Sequence, residues 1–128
     1  MNSVDSFRFN CGLDHESLDQ IYDGDLEYAI VIFEIFLRHS LEEFYSLPQA
    51  LQQGDLDTLQ HLAHKLKTAF TMVGLTDLAR IMNHLEKAAQ EPDELPIANE
   101  QLHRAERDLG DCLPLIKEEL RRMKTLAG

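Results

Sequence analysis

Residues 55 to 74 read Asp-Leu-Asp-Thr-Leu-Gln-His-Leu-Ala-His-Lys-Leu-Lys-Thr-Ala-Phe-Thr-Met-Val-Gly. The apolar positions Leu56, Leu59, Leu62 or Ala63, Leu66, Ala69 or Phe70, and Val73 recur in steps of three and four. That period lines one face of a helix, whereas a strand would need strict alternation. The spacing predicts a helix over about 55–73. Gly74 ends it, because glycine enters the left-handed conformation of a helix stop without a Cβ penalty.

The same period extends outward in both directions. A short helix is expected near Asp14 to Tyr22, with Asp14 as its N-cap. A long helix starts at Asp25 with Ile30, Phe33, Leu37, Leu41 and Phe44 on its apolar face; Pro48 should kink or break it, and Gly54 stops the segment beyond the proline. After Gly74, a helix from about Thr76 to Ala89 presents Leu78, Ile81, Met82, Leu85 and Ala89. The last begins near Ile97, with Leu102, Ala105, Leu109, Cys112, Ile116, Leu120 and Met123 along a bundle seam and a bend expected at Gly110 and Pro114. Four long amphipathic helices with short connections predict an all-α, antiparallel four-helix bundle with a short additional N-terminal helix. At 128 residues the chain is expected to be a single domain, residues 1–128.

Composition narrows the function classes. Acidic residues number 23 against 12 basic ones, a formal charge of -11, so the chain repels phosphate backbones and anionic lipid; nucleic acid and membrane are not expected partners. The run from Tyr28 to Phe33 falls far short of the roughly 20 apolar residues a membrane span needs. Residues 1–6 have neither the positive segment nor the apolar core of a secretory signal. Two cysteines outside any C-x-x-C pattern suit a reducing compartment, and the expected location is the cytoplasm. Met1 leans toward a free-standing protein.

Against this acidic background, residues 58 to 76 contain no Asp or Glu but do contain His61, His64, Lys65 and Lys67. On helical spacing Gln60, His64, Lys67 and Thr71 lie opposite Leu59, Leu62 and Leu66, so His64 is expected on an exposed, locally positive stripe. A neutral imidazole nitrogen is a nucleophile near neutral pH. Once phosphorylated it carries close to two negative charges, which Lys67, three residues on, would offset. By itself an H-x-x-K pair is a weak signal that more often describes a solvated histidine beside an ordinary lysine.

Residues 63 to 74, Ala-His-Lys-Leu-Lys-Thr-Ala-Phe-Thr-Met-Val-Gly, resemble the active-site helix of histidine phosphotransfer (HPt) domains. That family typically shows A-H-x-L-K-G, then small or apolar residues and a glycine ten positions after the histidine. Gly54-Asp55, Leu78 and Leu85-Glu86 sit where the family has similar residues, and Gly24-Asp25 with Phe33 and Phe36 match more loosely. The resemblance is good over about residues 50 to 89. Thr68 departs from it, standing where the family most often has glycine. Its β-branched side chain would crowd the phosphoryl group, hydrogen-bond it, or bond back to the helix carbonyl.

The resemblance implies a carrier that takes a phosphoryl group from one receiver-domain aspartate and gives it to another. In that implied scheme His64 is the phosphoacceptor and Lys67 supports its charge. Gln60, His61, Lys65, Thr68 and Thr71 border the docking surface for receiver domains of response regulators or hybrid sensor kinases, with apolar contact expected around His64. No cofactor of its own is implied, since the Mg²⁺ and its acidic pocket belong to the receiver. No carboxylate is expected near His64, and no Gly-rich loop is available for ATP, so the chain is a carrier and not a self-sufficient kinase.

Two rival readings rest on the same residues. Six histidines suggest a metal centre, but a carboxylate-bridged bundle site needs two Glu-x-x-His pairs and only Glu100-Gln101-Leu102-His103 fits. No metal is expected. The other rival is a non-catalytic adaptor that binds a receiver or kinase domain without being phosphorylated.

Overall fold

The computed structural model describes residues 7–128; residues 1–6, with their expected lack of a secretory signal, lie outside them. Among the described residues all regular structure is helical. In order these are α1 (His15–Tyr22), α2 (Leu26–Ile35), a π-helical turn (Phe36–Ser40), α3 (Leu41–Tyr45), α4 (Leu47–Gln53), α5 (Leu56–Met72), α6 (Thr76–Ala88), a 3₁₀ turn (Pro92–Glu94) and α7 (Leu95–Ala127). No helix of these is long and apolar enough to cross a membrane.

Three aspartates start three helices in the same way. Asp14, Asp25 and Asp55 accept from the backbone N–H of Ser17, Tyr28 and Thr58 at 3.3, 3.1 and 3.3 Å, satisfying donors the first turn leaves free. Asp14 also accepts from Thr76 Oγ1 at 2.7 Å, and its N–H donates to the Gly74 carbonyl at 2.9 Å. The start of α1 is thereby pinned to the α5–α6 turn. Gly74 takes φ +78°, and a Cβ there would lie 2.8 Å from Leu18 Cδ1, so both its backbone angle and its lack of a side chain are required.

The α2–α3 stretch and α5, α6 and α7 form the four-helix bundle, with α5 packed most extensively on α6 and α7 closing onto α6 and α2. The centre is aromatic. Phe70 of α5 meets Phe36 and Phe44 edge-on at 5.6 and 5.7 Å between ring centroids, an arrangement that adds quadrupole attraction to burial.

Several expected details differ. Phe36 and Ser40 are buried on the inner face while Leu37 and Leu41 are only half-buried. The π turn is the reason: one extra residue per turn rotates the next face, which a uniform 3.6-residue period does not anticipate. The break at Pro48 is real but falls at Ser46, and Pro48 then occupies the first turn of α4, where its missing N–H costs nothing. The last helix starts at Leu95, earlier than expected, and continues through Gly110 and Pro114, both turned to solvent. On its seam Cys112 and Leu120 are only half-buried, and Glu119 is fully buried instead. Asn10 N–H donates to Glu119 at 3.0 Å and Arg122 pairs with it, so the buried charge is compensated and the N-terminal segment is tied to α7.

Candidate functional site

His64 stands at the middle of α5, on the side away from Leu59, Ala63, Leu66 and Phe70, all fully buried. Its side chain is 66% exposed, as an imidazole that must meet another protein requires. The ring is nevertheless held: Nδ1 lies 2.7 Å from Oε2 of Glu86 on α6. Lys67 Nζ sits 2.6 Å from the other oxygen of the same carboxylate and donates to Asn83 Oδ1 at 3.4 Å. One glutamate thus bridges the histidine and the lysine.

The expectation that no carboxylate stands near His64 is overturned by this contact. The α5–α6 hairpin is antiparallel about Gly74, so a residue twelve positions after the turn returns beside one ten positions before it. Counting outward from Gly74 along both helices brings positions 84 to 86 level with His64, and Glu86 is the carboxylate among them, a position the resemblance had matched without a role. The locally positive stripe is corrected as well. Lys65 pairs with Glu43 of α3 at 2.5 Å and Lys67 pairs with Glu86, so each lysine faces a carboxylate from a neighbouring helix.

Electrostatics fix the tautomer. The Lys67 ammonium first, and then the His64 ring, hold the Glu86 carboxyl below its usual range, against a partial desolvation that pushes the other way. An ionised carboxylate only accepts hydrogen bonds, so at neutral pH Nδ1 carries the proton that lies between ring and glutamate. In the neutral ring Nε2 is then the nitrogen with a free lone pair.

The remaining sequence-predicted residues separate into groups. His61, Lys65 and Thr68 are exposed on α5 beside His64, while Gln60 is half-buried. Thr71 is half-buried and its hydroxyl donates to the Lys67 carbonyl at 2.9 Å, so its proton is already engaged. The large apolar side chains exposed to solvent are not on α5: Tyr28, Val31 and Ile35 lie on α2, Tyr45 on α3 and Ile97 on α7. Of the residues weighed as metal ligands, Glu100 and His103 are exposed on α7, and His103 faces Glu106 at 3.5 Å. His84 accepts from Gln101 Nε2 at 3.2 Å.

The Hpt domain family model matches residues 31–125 of the chain. Among solved structures the chain is similar to histidine-containing phosphotransfer protein B (HptB) from Pseudomonas aeruginosa PAO1, with a TM-score of 0.75 and 31% sequence identity over 86% of this chain and 95% of that one. No curated protein sequence matches it.

Proposed function

The chain belongs to the Hpt family of histidine phosphotransfer domains, the carriers of phosphorelays, and from that premise we propose that His64 is its phosphoacceptor and Nε2 the atom that bonds phosphorus. The contact that carries this reading is the 2.7 Å link from Nδ1 to Glu86, which leaves Nε2 as the free nucleophile of an exposed ring.

In the forward step the Nε2 lone pair attacks the phosphorus of a receiver's aspartyl phosphate. The Nε2–P bond forms as the P–O bond to the aspartate breaks, and the carboxylate leaves with the electron pair. The positive charge that develops on the ring is met by Glu86 across the Nδ1 proton. Lys67, beside it, offsets charge on the arriving phosphoryl group. Transfer onward to a second receiver is the same step reversed. Little more than positioning and charge neutralisation is asked of the chain. The Mg²⁺ of the exchange is assigned to the receiver, and the chain acts as a carrier without a cofactor of its own. The partners are receiver domains of response regulators or hybrid sensor kinases, which places the exchange in the cytoplasm.

The deciding experiment incubates the protein with a panel of phosphorylated receiver domains. Acid-labile, alkali-stable label is then compared between wild type and His64→Gln. Label in wild type that vanishes in the variant establishes the carrier, and the receiver that donates it identifies a partner. Binding without label from any receiver would replace this reading with the non-catalytic adaptor.

A further inference from the structure

The chain contains five threonines, and four of them have hydroxyls engaged within the protein. Thr58 donates to Asp55 Oδ2 at 2.8 Å, Thr76 to Asp14 Oδ2 at 2.7 Å, Thr71 to the Lys67 carbonyl at 2.9 Å and Thr125 to the Arg121 carbonyl at 3.0 Å. The last two show the usual habit of a threonine inside a helix, which bonds back to the carbonyl four residues earlier. Thr68 also lies inside a helix, and the carbonyl four residues earlier is that of His64. Its hydroxyl does not take that bond and has no partner among the described residues, while the side chain is exposed.

Position matters as much as freedom. Residues four apart on a helix are surface neighbours, with Cβ atoms about 5–6 Å apart. Helical side chains lean toward the N-terminus, so Thr68 covers the turn that bears His64. Lys67, the charged donor nearby, is shared with Glu86 and Asn83. A group bonded to Nε2 therefore has beside it, one turn on, a neutral hydroxyl donor with no partner among the described residues.

Building on the assignment of His64 as phosphoacceptor, we propose that the Thr68 hydroxyl donates a hydrogen bond to a phosphoryl oxygen of phospho-His64 and stabilises the phosphorylated carrier. Thr68 then touches the transferred group itself, and the side chain at this position sets how long the carrier holds its phosphoryl group. A methyl-for-hydroxyl exchange removes the donor while keeping the β-branched shape, and an exposed site tolerates that exchange in the fold.

The test phosphorylates wild type, Thr68→Val and Thr68→Ser with phosphoramidate, a small donor that needs no partner protein. Two quantities are read on each: the decay of the phosphohistidine ³¹P signal, and the pH at which that signal titrates. Thr68→Val should shorten the half-life roughly three- to tenfold, the loss of one hydrogen bond to a charged group moderated by solvent. It should also shift the titration upward, because the dianion loses a donor. Thr68→Ser should restore both, which a merely structural role would not do. Phosphorylation at His64 with Thr68→Val indistinguishable from wild type, or with Thr68→Ser no better than Thr68→Val, overturns the role of Thr68 and leaves His64 as acceptor. Phosphorylation that His64→Gln does not remove overturns both assignments.

Discussion

Glu86 meets His64 at 2.7 Å although 22 residues of sequence separate them, and its second oxygen meets Lys67 at 2.6 Å. The His64 ring and the Lys67 ammonium are therefore oriented by one carboxylate on the adjoining helix. Both belong to α5, yet neither is positioned by α5 alone.

The tautomer of His64 should depend on Glu86. In wild type, ¹⁵N shifts of the neutral imidazole should report the Nδ1–H form. Glu86→Ala removes the acceptor and should let the Nε2–H form appear, with transfer slowed about tenfold or more, a barrier increase of about 1.4 kcal/mol. Unchanged ¹⁵N shifts in that variant would sink the orienting role.

Acid should separate Glu86→Gln from wild type in a defined window. Lys67 chiefly, then His64, lower the Glu86 pKa below its ordinary 4.5, so its ionisation stabilises the fold above that pH. That stabilisation is lost as pH falls through the folded-state value. Urea midpoints should thus differ at neutral pH and converge below pH 4.5. Asp14, lowered from 3.8 first by the Thr76 hydroxyl and then by the Ser17 N–H, should behave alike in Asp14→Asn, over a lower window. A constant difference across the acid range would count against both.

Gly74 and Gly54 both have positive φ but should respond differently to alanine. At Gly54, φ +69°, nothing lies within 4 Å of an added Cβ, so only backbone strain applies, about 1 kcal/mol. At Gly74 the same strain is joined by contacts at 2.8 Å to Leu18 and 3.0 Å to Leu13, giving about 2–4 kcal/mol. Thermal melts of the two variants should rank accordingly, and equal melting temperatures would refute the close packing of α1 on this turn.

Glu119→Ala should loosen the N-terminal segment. It removes the acceptor of the Asn10 N–H and the carboxylate partner of Arg122, at a cost of about 2 kcal/mol given that the arginine still reaches water. Hydrogen exchange at Asn10 should accelerate, and the Phe9 ring, stacked on Phe33 at 6.2 Å, should lose order with it. Glu119→Gln keeps an acceptor and should fall between. Unaltered exchange at Asn10 in the alanine variant would refute the tie through Glu119, leaving the segment to its aromatic rings and to the Arg122 bond to the Arg8 carbonyl.

Hydrophobic period, aspartate caps and glycine stops are local devices, and each element they announced is present: α1 behind Asp14, α2 behind Asp25, α5 between Asp55 and Gly74. The place of His64 on the outer face of α5 is equally local, because burial of Leu59, Ala63, Leu66 and Phe70 dictates which side faces out. Every contact between helices, by contrast, required the folded chain. Glu86 beside His64, Glu43 beside Lys65 and Glu119 beneath Asn10 all join positions far apart in sequence. The π turn that buries Ser40 likewise depends on how α2 and α3 pack. A side chain's helical face is set by its own neighbours in sequence, but its partner across the groove is set by the register of two helices, and only their packing decides that register.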